Sequence, residues 1–422
     1  VNNQTDSSGH DAILVIGGGI AGITAAVEAA EVGHKVILVE REAYLGGRVM
    51  RLHQYFPKLC PPTCGMEINF RRIRSNPRIE VLTQAEVSGI SGRRGDYEVT
   101  VQLNPRYVTG EQPVTTAHLD AVTTEVPDGF NLGLNTAKAL RMPHDMAYPP
   151  LHVLDKDALG GDELSALAAV EPQGAIDLDQ QPQTRTCKVG AVILATGWRP
   201  YDATKLDTLG YNENEDVIAN VQMERLASLT GPTGGKIQRP SDGAEPKRVA
   251  FVQCAGSRDV NHLPYCSAVC CMGSLKQARY VREKLPEAEV TIFYIDIRTI
   301  GRHEEFYYEL LQDEKVNFVK GKVARVNKDG AGMELQVEDT VGGKLLRESF
   351  DLVVLATGVV PNNADAPVPG AEVETDDYGF IVPGTERNGI YAVGCARRPT
   401  EVSRSVKDAT AAVLKAIQDV RR

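Results

Sequence analysis

The stretch AILVIGGGIAGITAAVEAAEVGHKVILVE, Ala12 to Glu40, decides how the rest of the chain is read. AILVI is a short apolar, β-branched run of the kind that fills a strand buried on both faces. It runs into Gly17-x-Gly19-x-x-Gly22, then into a helical pattern, then into a second strand, KVILVE, that ends on Glu40. Strand, glycine turn, helix, strand and terminal acid are the parts of a dinucleotide-binding unit. Gly17 permits the tight turn, Gly19 lets a pyrophosphate approach the backbone, and Gly22 lets the helix sit close to the sheet. The first helical residues, Ile20 and Ala21, carry unpaired N–H groups at the positive end of the helix dipole. Glu40, with Arg41 beside it, is placed to accept hydrogen bonds from a ribose. The plain alternative is a glycine turn used only for packing.

The totals bound what such a unit belongs to. A chain of 422 residues, 42% apolar and 24% charged, is long enough for two or three domains with a sizeable core. A net charge of -10 argues against nucleic acid as a partner and supplies no polybasic surface for an anionic membrane. The longest apolar run is broken by four glycines and does not read as a membrane span. The opening VNNQTDSSGHD has no basic n-region and no apolar h-region, so it does not read as a secretory signal. Eight cysteines without an export signal point to metal or redox chemistry rather than a disulfide framework.

Further signals select FAD over NAD at the first unit. After Glu40 comes a second glycine pair, Gly46-Gly47, followed by Arg48, as in flavoproteins with two dinucleotide-binding domains. Two strands end in ATG: AVILATG with Ala195, Thr196 and Gly197, and DLVVLATG with Gly358. Near the C-terminus, GIYAVGCARRP, with Gly394 and Cys395, is similar to the segment that approaches the flavin ring in those proteins. A helix from about Val402 would aim its N-terminus at the flavin pyrimidine, where the dipole stabilises an anion. The strand IEVLTQAEV, 79–87, suits backbone contacts to an adenine. Arg48 reads either as a charge for the cofactor or as a surface residue.

Residues 229–248 read as a loop rich in glycine and proline, followed by a strand at 248–253, a helix over 266–285, a strand at 289–296 and a helix over 303–312. This predicts an α/β fold in which a Rossmann-like FAD domain, 1–246 and 350–422, carries an inserted second Rossmann-like domain, 247–349. The turn after the 248–253 strand is CAGSRD and lacks the pyrophosphate glycines, so a second dinucleotide is not expected there. Instead, Cys254, Cys266, Cys270 and Cys271 fall in one short segment. Cys266 and Cys270, four apart, would share a helical face, and Cys254 would sit at the strand end beside them. Four soft ligands suit zinc or an iron–sulfur cluster, although C-x11-C-x3-C-C is the spacing of neither a zinc ribbon nor a bacterial ferredoxin. Buried cysteines acting as small core residues are the alternative.

IGGGIAGITAA, LVEREAYLGGRV, YFPKLCPPTC, ILATGW, GGKIQRPSDGAEPKRVAFVQCAGSRD, YCSAVCCM and VVLATGVVPN together resemble the A-type subunits of heterodisulfide reductase over nearly the whole chain. The resemblance implies that Cys254, Cys266, Cys270 and Cys271 ligate a [4Fe–4S] cluster in the inserted domain. It also implies Val87 as an adenine contact. The chain departs from that family in PRYVTGEQPVTTAHLDAVTTEVPDGFNLGL, where ferredoxin-type cysteine runs are expected and none stands. That departure resembles the A-type component of the quinone-interacting membrane-bound oxidoreductase complex of sulfate reducers. The resemblance implies an electron-transfer subunit on the cytoplasmic face of the membrane. Its partners would be a flavin and iron–sulfur protein and a haem-bearing membrane protein, and the complex links menaquinone to adenylyl-sulfate reductase. The rival readings are a stand-alone NAD(P)H-dependent disulfide or quinone reductase, an electron-bifurcating heterodisulfide reductase-type subunit, and a structural subunit with zinc at the four cysteines. Cys60 and Cys64 read as structural thiols, Cys187 as a lone thiol, and the histidines, His53 and His303 among them, as surface or packing residues.

Overall fold

The computed structural model describes residues 11–171, 173–301, 303–330, 332–384 and 388–420. The reading of the first ten residues therefore lies outside the described residues. Two parallel sheets organise the chain. The first has five strands in the order Ile390–Ala392, Ala191–Leu194, Ala12–Ile16, Lys35–Glu40 and Ile79–Thr83. Its central strand, Ala12–Ile16, is buried throughout, as the unbroken apolar run requires. The helix Ile20–Glu31 packs on the C-terminal helix Val402–Val420, and both contribute small residues to one core, among them Ala26, Ala29, Ala409 and Ala416.

The second parallel sheet has the order Val217–Ala219, Leu352–Thr357, Arg248–Ala255, Glu289–Tyr294 and Val316–Lys320. Each parallel sheet is accompanied by a three-stranded antiparallel meander. One is Ala85–Arg93, Asp96–Leu103 and Gln183–Val189; the other is Val323–Asp329, Gly332–Asp339 and Lys344–Phe350. The two-domain flavoprotein architecture expected from the sequence is present.

The boundaries expected at 247 and 350 are not where the sheets divide. The strands Val217–Ala219 and Leu352–Thr357 both pair into the second sheet. The chain crosses between the domains at Trp198–Pro200 and returns at Val359–Pro361, and these two crossings pair with each other antiparallel. The inserted unit is therefore about 201–358. The error has a physical origin: AVILATG and DLVVLATG have the same local pattern, and only strand pairing assigns them to different sheets. The expected strand 79–87 is also two strands in two sheets, bent at Gln84, whose φ is 51°.

Between the Asp96–Leu103 and Gln183–Val189 strands the chain forms a small lobe with its own core, including Val122, Leu140, Leu154 and Leu167. The segment 155–186 contributes Leu167 and Ala175 to buried positions. Cys187 is fully buried in the meander.

A polar and aromatic contact joins the two domains. Arg225, on the inserted domain's helix Asn220–Ala227, is fully buried and donates to Asn131 Oδ1 (2.8 Å), with its guanidinium 4.6 Å from the Phe130 ring centre. His144 stacks on the same ring at 4.4 Å. Burial pushes the His144 pKa down to about 4, and the charges of Arg225 and Arg51 add to the effect. A histidine that is neutral in the fold but titrates near 6.5 when unfolded contributes stability that is complete above about pH 6.5. That stability is lost as pH falls toward 4. The thermal midpoint is therefore expected to drop between pH 7 and pH 4.5, and to drop less in His144→Phe; equal slopes in the two proteins would exclude His144 as a cause.

Candidate functional site

A cleft of about 410 Å³ opens over the C-terminal edge of the first sheet, reached by Ile16, Val39, Glu40, Ala195 and Val393 at or beyond its strand ends. This is the edge at which parallel α/β sheets bind ligands. The cleft is lined by most of the residues singled out in the sequence: Gly17, Gly19, Ile20, Ala21, Glu40, Arg41, Gly47, Arg48, Val87, Ala195, Thr196, Gly197, Cys395 and Val402.

Steric observations explain the glycines. A Cβ on Gly17 would lie 2.3 Å from Ala195 O, and one on Gly22 would lie 1.8 Å from Gly17 O. Gly22 thus stands behind the cleft wall and holds the helix against the turn. A Cβ on Gly19 would meet no protein atom within 4 Å, so this backbone face is open to a ligand. Gly46, with φ 111°, does not itself line the cleft; its N–H donates to Gly18 O (2.7 Å) and ties the second glycine turn to the first. The helix Ile20–Glu31 has no side-chain cap, so its first N–H groups remain available.

Glu40 is buried, and burial raises its pKa even though it accepts from the N–H groups of Gly18 (2.6 Å) and Glu42 (2.8 Å). Arg48 lines the cleft with its Nε donating to Trp198 O (3.2 Å), so it is not a free surface residue. Burial, with Arg51 nearby, lowers its pKa to about 10 and leaves it charged at neutral pH. Arg41, Arg48 and Arg51 all line the cleft, alongside Glu40, Glu42 and Glu86, and offer cationic groups of the kind that pair with phosphates.

At the other end, Gly394, with φ 60°, brings the chain against Ala21 and Ser405. Cys395 lines the cleft and is buried, with its thiol donating to Thr400 O (3.4 Å), and burial raises its pKa to about 11. Thr400 Oγ1 is buried beside the cleft with no partner in the protein, as expected of a group that meets a ligand. The helix Val402–Val420 does begin at the cleft. The Glu401 carboxylate already accepts from Ser403 N and Arg404 N, so part of the helix end foreseen for a flavin anion is occupied by a side chain. These residues fit FAD.

Sequence reasoning missed Tyr44, Trp198, Asn362 and the run Ala366–Pro369 of the returning chain, all of which line the cleft. Asn362 Nδ2 donates to Thr196 O (2.6 Å), and Thr196 Oγ1 donates to Asn363 Oδ1 (3.0 Å). The segment after the second ATG strand therefore clasps the first ATG turn. The signal was the asparagine pair in VVPNN.

A second, small cavity lies at the corresponding edge of the second sheet, lined by Cys254, Cys266, Cys270 and Cys271 with Ser257, Arg258, Ser267, Ala268, Asp296 and Arg298. The expectation that these cysteines come together holds; the way they do so differs. The helix starts at Cys270, not at 266, so Cys266 and Cys270 share no helical face. Ala268, at φ 61°, breaks the chain before the helix, and its N–H donates to Cys266 Sγ (3.4 Å). Ser267 Oγ accepts from Val359 N (2.9 Å) and fixes the same turn from the domain crossing. Cys254, at φ 57°, sits where the Arg248–Ala255 strand loses register with its neighbour. Arg258 is also left-handed, at 56°. Three non-glycine residues held in this conformation around one cavity mark strain sustained by the surrounding packing.

Cys254, Cys270 and Cys271 are buried and Cys266 is half-buried. Burial raises the Cys254 thiol to about 11, with Cys271 adding to the shift and Arg258 opposing it. Burial pushes Cys270 well up, with the other three cysteines contributing. Among the described residues no group of three or more His, Cys, Asp or Glu side chains is placed to hold a single metal ion. The four thiols share the cavity without closing on one point. As a donor set they fit a thiolate-ligated group whose positive charge replaces their protons on binding.

Gly358, expected at the flavin, is at the cysteine cavity instead. A Cβ there would lie 2.4 Å from Ser257 Oγ and 2.7 Å from Ser267 Oγ. Its strand belongs to the second sheet, which is why its ATG serves that edge. Cys60 and Cys64 are free, half-buried and exposed respectively, and neither lines the cleft. His53 and His303 pack on Tyr280 and Phe56. No helix among the described residues is long and apolar enough to cross a membrane.

Comparison with known proteins agrees with this fold. The FAD dependent oxidoreductase family matches residues 12–97, and the pyridine nucleotide-disulphide oxidoreductase family matches 274–414. Thioredoxin reductase of T. acidophilum shares the fold, with a TM-score of 0.55 at 14% identity, covering 98% of this chain and 100% of that one. An iron-sulfur, A-type subunit of the CoB–CoM heterodisulfide reductase of Methanopyrus kandleri is 36% identical over 420 residues, 96% of this chain and 64% of its own length. Its counterpart in the CoB–CoM heterodisulfide reductase of Methanocaldococcus jannaschii is 38% identical over 416 residues, 94% of this chain and 63% of its own. The chain thus spans a little under two thirds of the length of these relatives. At 36–38% identity over 94–96% of its length, this chain belongs to the heterodisulfide reductase A-like family of FAD-dependent oxidoreductases.

Proposed function

We propose that this chain is an FAD- and iron–sulfur-containing electron-transfer subunit of a hetero-oligomeric oxidoreductase. The observation that carries the reading is the four-cysteine cavity at the second sheet's ligand-binding edge, where a dinucleotide-binding domain would place its glycine turn. In this reading Gly17, Gly19, Gly47 and the helix start at Ile20 and Ala21 hold the FAD pyrophosphate, while Gly46 and Gly22 brace that backbone from behind. Glu40 with Arg41 holds the ribose, and Val87 borders the adenine. Ala195 to Gly197, Arg48, Gly394, Cys395 and Val402 surround the rest. Bound FAD supplies the ability to exchange electrons in pairs or singly. The protein's share is to hold the pyrophosphate by backbone donors, to keep Arg48 charged beside the cleft, and to gather four cysteines, three of them buried, as soft donors around one cavity. Cys254, Cys266, Cys270 and Cys271 would hold a [4Fe–4S] cluster.

The finer proposal is the role that resembles the quinone-interacting membrane-bound complex of sulfate respiration. There the chain would sit on the cytoplasmic side of the membrane, held by a flavin and iron–sulfur protein and a haem-bearing membrane protein. It would work between menaquinone and adenylyl-sulfate reductase. The lobe at 104–182 supports it, since that lobe carries no cysteine for ferredoxin-type clusters. A heterodisulfide reductase-type bifurcating subunit is the second reading, favoured by the names of the relatives.

Anaerobic purification followed by assay of FAD, iron, acid-labile sulfide and zinc per chain tests the core of the proposal. One FAD with about four irons and four sulfides is expected, with an EPR signal after dithionite. Cys270→Ala should lose the iron and sulfide and keep the FAD. Zinc in place of iron, or FAD alone, overturns the cluster. Bleaching of the flavin by NAD(P)H without any partner would favour a stand-alone reductase.

A further inference from the structure

Around the cysteine cavity stand three charges that the cysteine ligands do not account for. Arg258 donates from Nη1 to Asp296 Oδ1 at 2.6 Å, and Arg298 Nε lies 3.3 Å from the same oxygen. All three residues line the cavity with the thiols. Asp296 is tied to the site a second time, because its backbone carbonyl accepts from Cys271 Sγ (3.6 Å). Arg258 is held in place by a left-handed backbone, which an ordinary surface arginine has no reason to adopt. Its side chain is about three-quarters buried, at 25% exposure, so its charge acts through a medium less polar than water. Arg298 is half-exposed and completes the fork on Asp296. The three carry a net charge of +1 beside a cavity lined by four soft sulfur donors.

We propose that Arg258 and Arg298, oriented by Asp296, set the reduction potential of the redox centre bound at Cys254, Cys266, Cys270 and Cys271. The inference rests on the cluster reading given above. A redox centre held by thiolates gains a negative charge with each electron it accepts. A fixed cation beside it stabilises the reduced form, and a fixed anion destabilises it. The two arginines are positioning and tuning residues; they need not ligate. Asp296 plays both parts, since it holds the two cations at the cavity and offsets one of them. The structure therefore fixes opposite signs for neighbouring residues, which a merely structural role does not.

The test uses the full chain, purified anaerobically, with iron and sulfide assayed first and the potential read by EPR-monitored titration. Arg258→Gln and Arg298→Gln are each expected to shift the oxidised-to-reduced ratio at a fixed ambient potential about tenfold toward oxidised, or about 59 mV downward for one electron. Asp296→Asn is expected to shift the ratio the other way. Arg298→Gln is the safer variant because its side chain is half in water, and Arg258→Lys, which keeps the charge, should stay near wild type. Loaded variants whose potentials coincide with wild type, or a downward shift in Asp296→Asn, overturn the proposal while leaving the cluster in place. A wild-type chain without iron and sulfide overturns both, and the metal assay shows this before any potential is measured.

Discussion

Gly22→Ala is expected to yield a chain that retains no FAD through gel filtration and unfolds at a lower temperature than the wild-type apoprotein. The added Cβ would stand 1.8 Å from Gly17 O and 3.0 Å from Gly17 C. Neither atom can yield. Gly17 is itself left-handed at φ 109°, and its own vacant Cβ position lies against Ala195 O. The turn is thus clamped between the helix and the end of a neighbouring strand, and the helix has to retreat. Overpacking of this kind costs about 1–3 kcal/mol in folding. The helix start also leaves the place where its N–H groups meet the pyrophosphate. Gly19→Ala separates the two effects, because its Cβ meets no protein atom within 4 Å. That variant should keep the apoprotein's stability and lose FAD through direct obstruction. Absorbance at the flavin maximum and a thermal melt of each apoprotein decide the matter. Gly22→Ala purified with a full complement of FAD would mean that the helix does not set the site.

The same two glycines show why this part of the protein was legible. Their requirement is local: a turn, a close backbone approach and a helix start, all within one strand–helix–strand unit. Cys254, Cys266, Cys270 and Cys271 were legible as a group, because strand ends in a parallel sheet gather at one edge. Their geometry was not. The break before Cys270 depends on the left-handed Ala268 and on the Ser267 bond to Val359, a residue 92 positions away. The domain boundaries failed for a related reason, since two ATG strands with one pattern belong to different sheets. Arg258 stood in plain view in CAGSRD, yet nothing local shows that it faces Asp296 across the cavity. Charge pairing between separate loops is a product of the fold, and only the folded chain exhibits it.

The least legible feature carries the second large effect. Lys276→Met is expected to lower stability toward urea by about 3–5 kcal/mol, the usual result of removing one partner from a buried ion pair. On sequence alone Lys276 and Glu224 look like ordinary helix charges. In the fold they lie 3.1 Å apart with side chains only 6% and 4% exposed. Glu224 also accepts from Gln277 Nε2 (2.7 Å), from Tyr280 OH (3.4 Å) and from the backbone N–H of His53 (3.0 Å). Lys276 Nζ donates to the carbonyl of Gln54. His53 and Gln54 belong to the segment after the second glycine turn, and Phe56, two residues on, packs against Phe306 of the inserted domain. The network therefore fastens the flavin-side segment to the helix that begins with Cys270 and Cys271. Loss of the lysine leaves a buried carboxylate without its cation and frees that attachment. Amide exchange should rise in residues 53–56 well before it rises in the Ala12–Ile16 strand. Lys276→Met combined with Glu224→Leu should recover much of the stability, since an apolar pair of similar volume removes the stranded charge. It should not restore the protection of residues 53–56, because an aliphatic side chain in place of the carboxylate offers no acceptor to the His53 N–H. A single variant that costs under about 1 kcal/mol, in the range of an exposed pair, would show that the domains are fastened elsewhere.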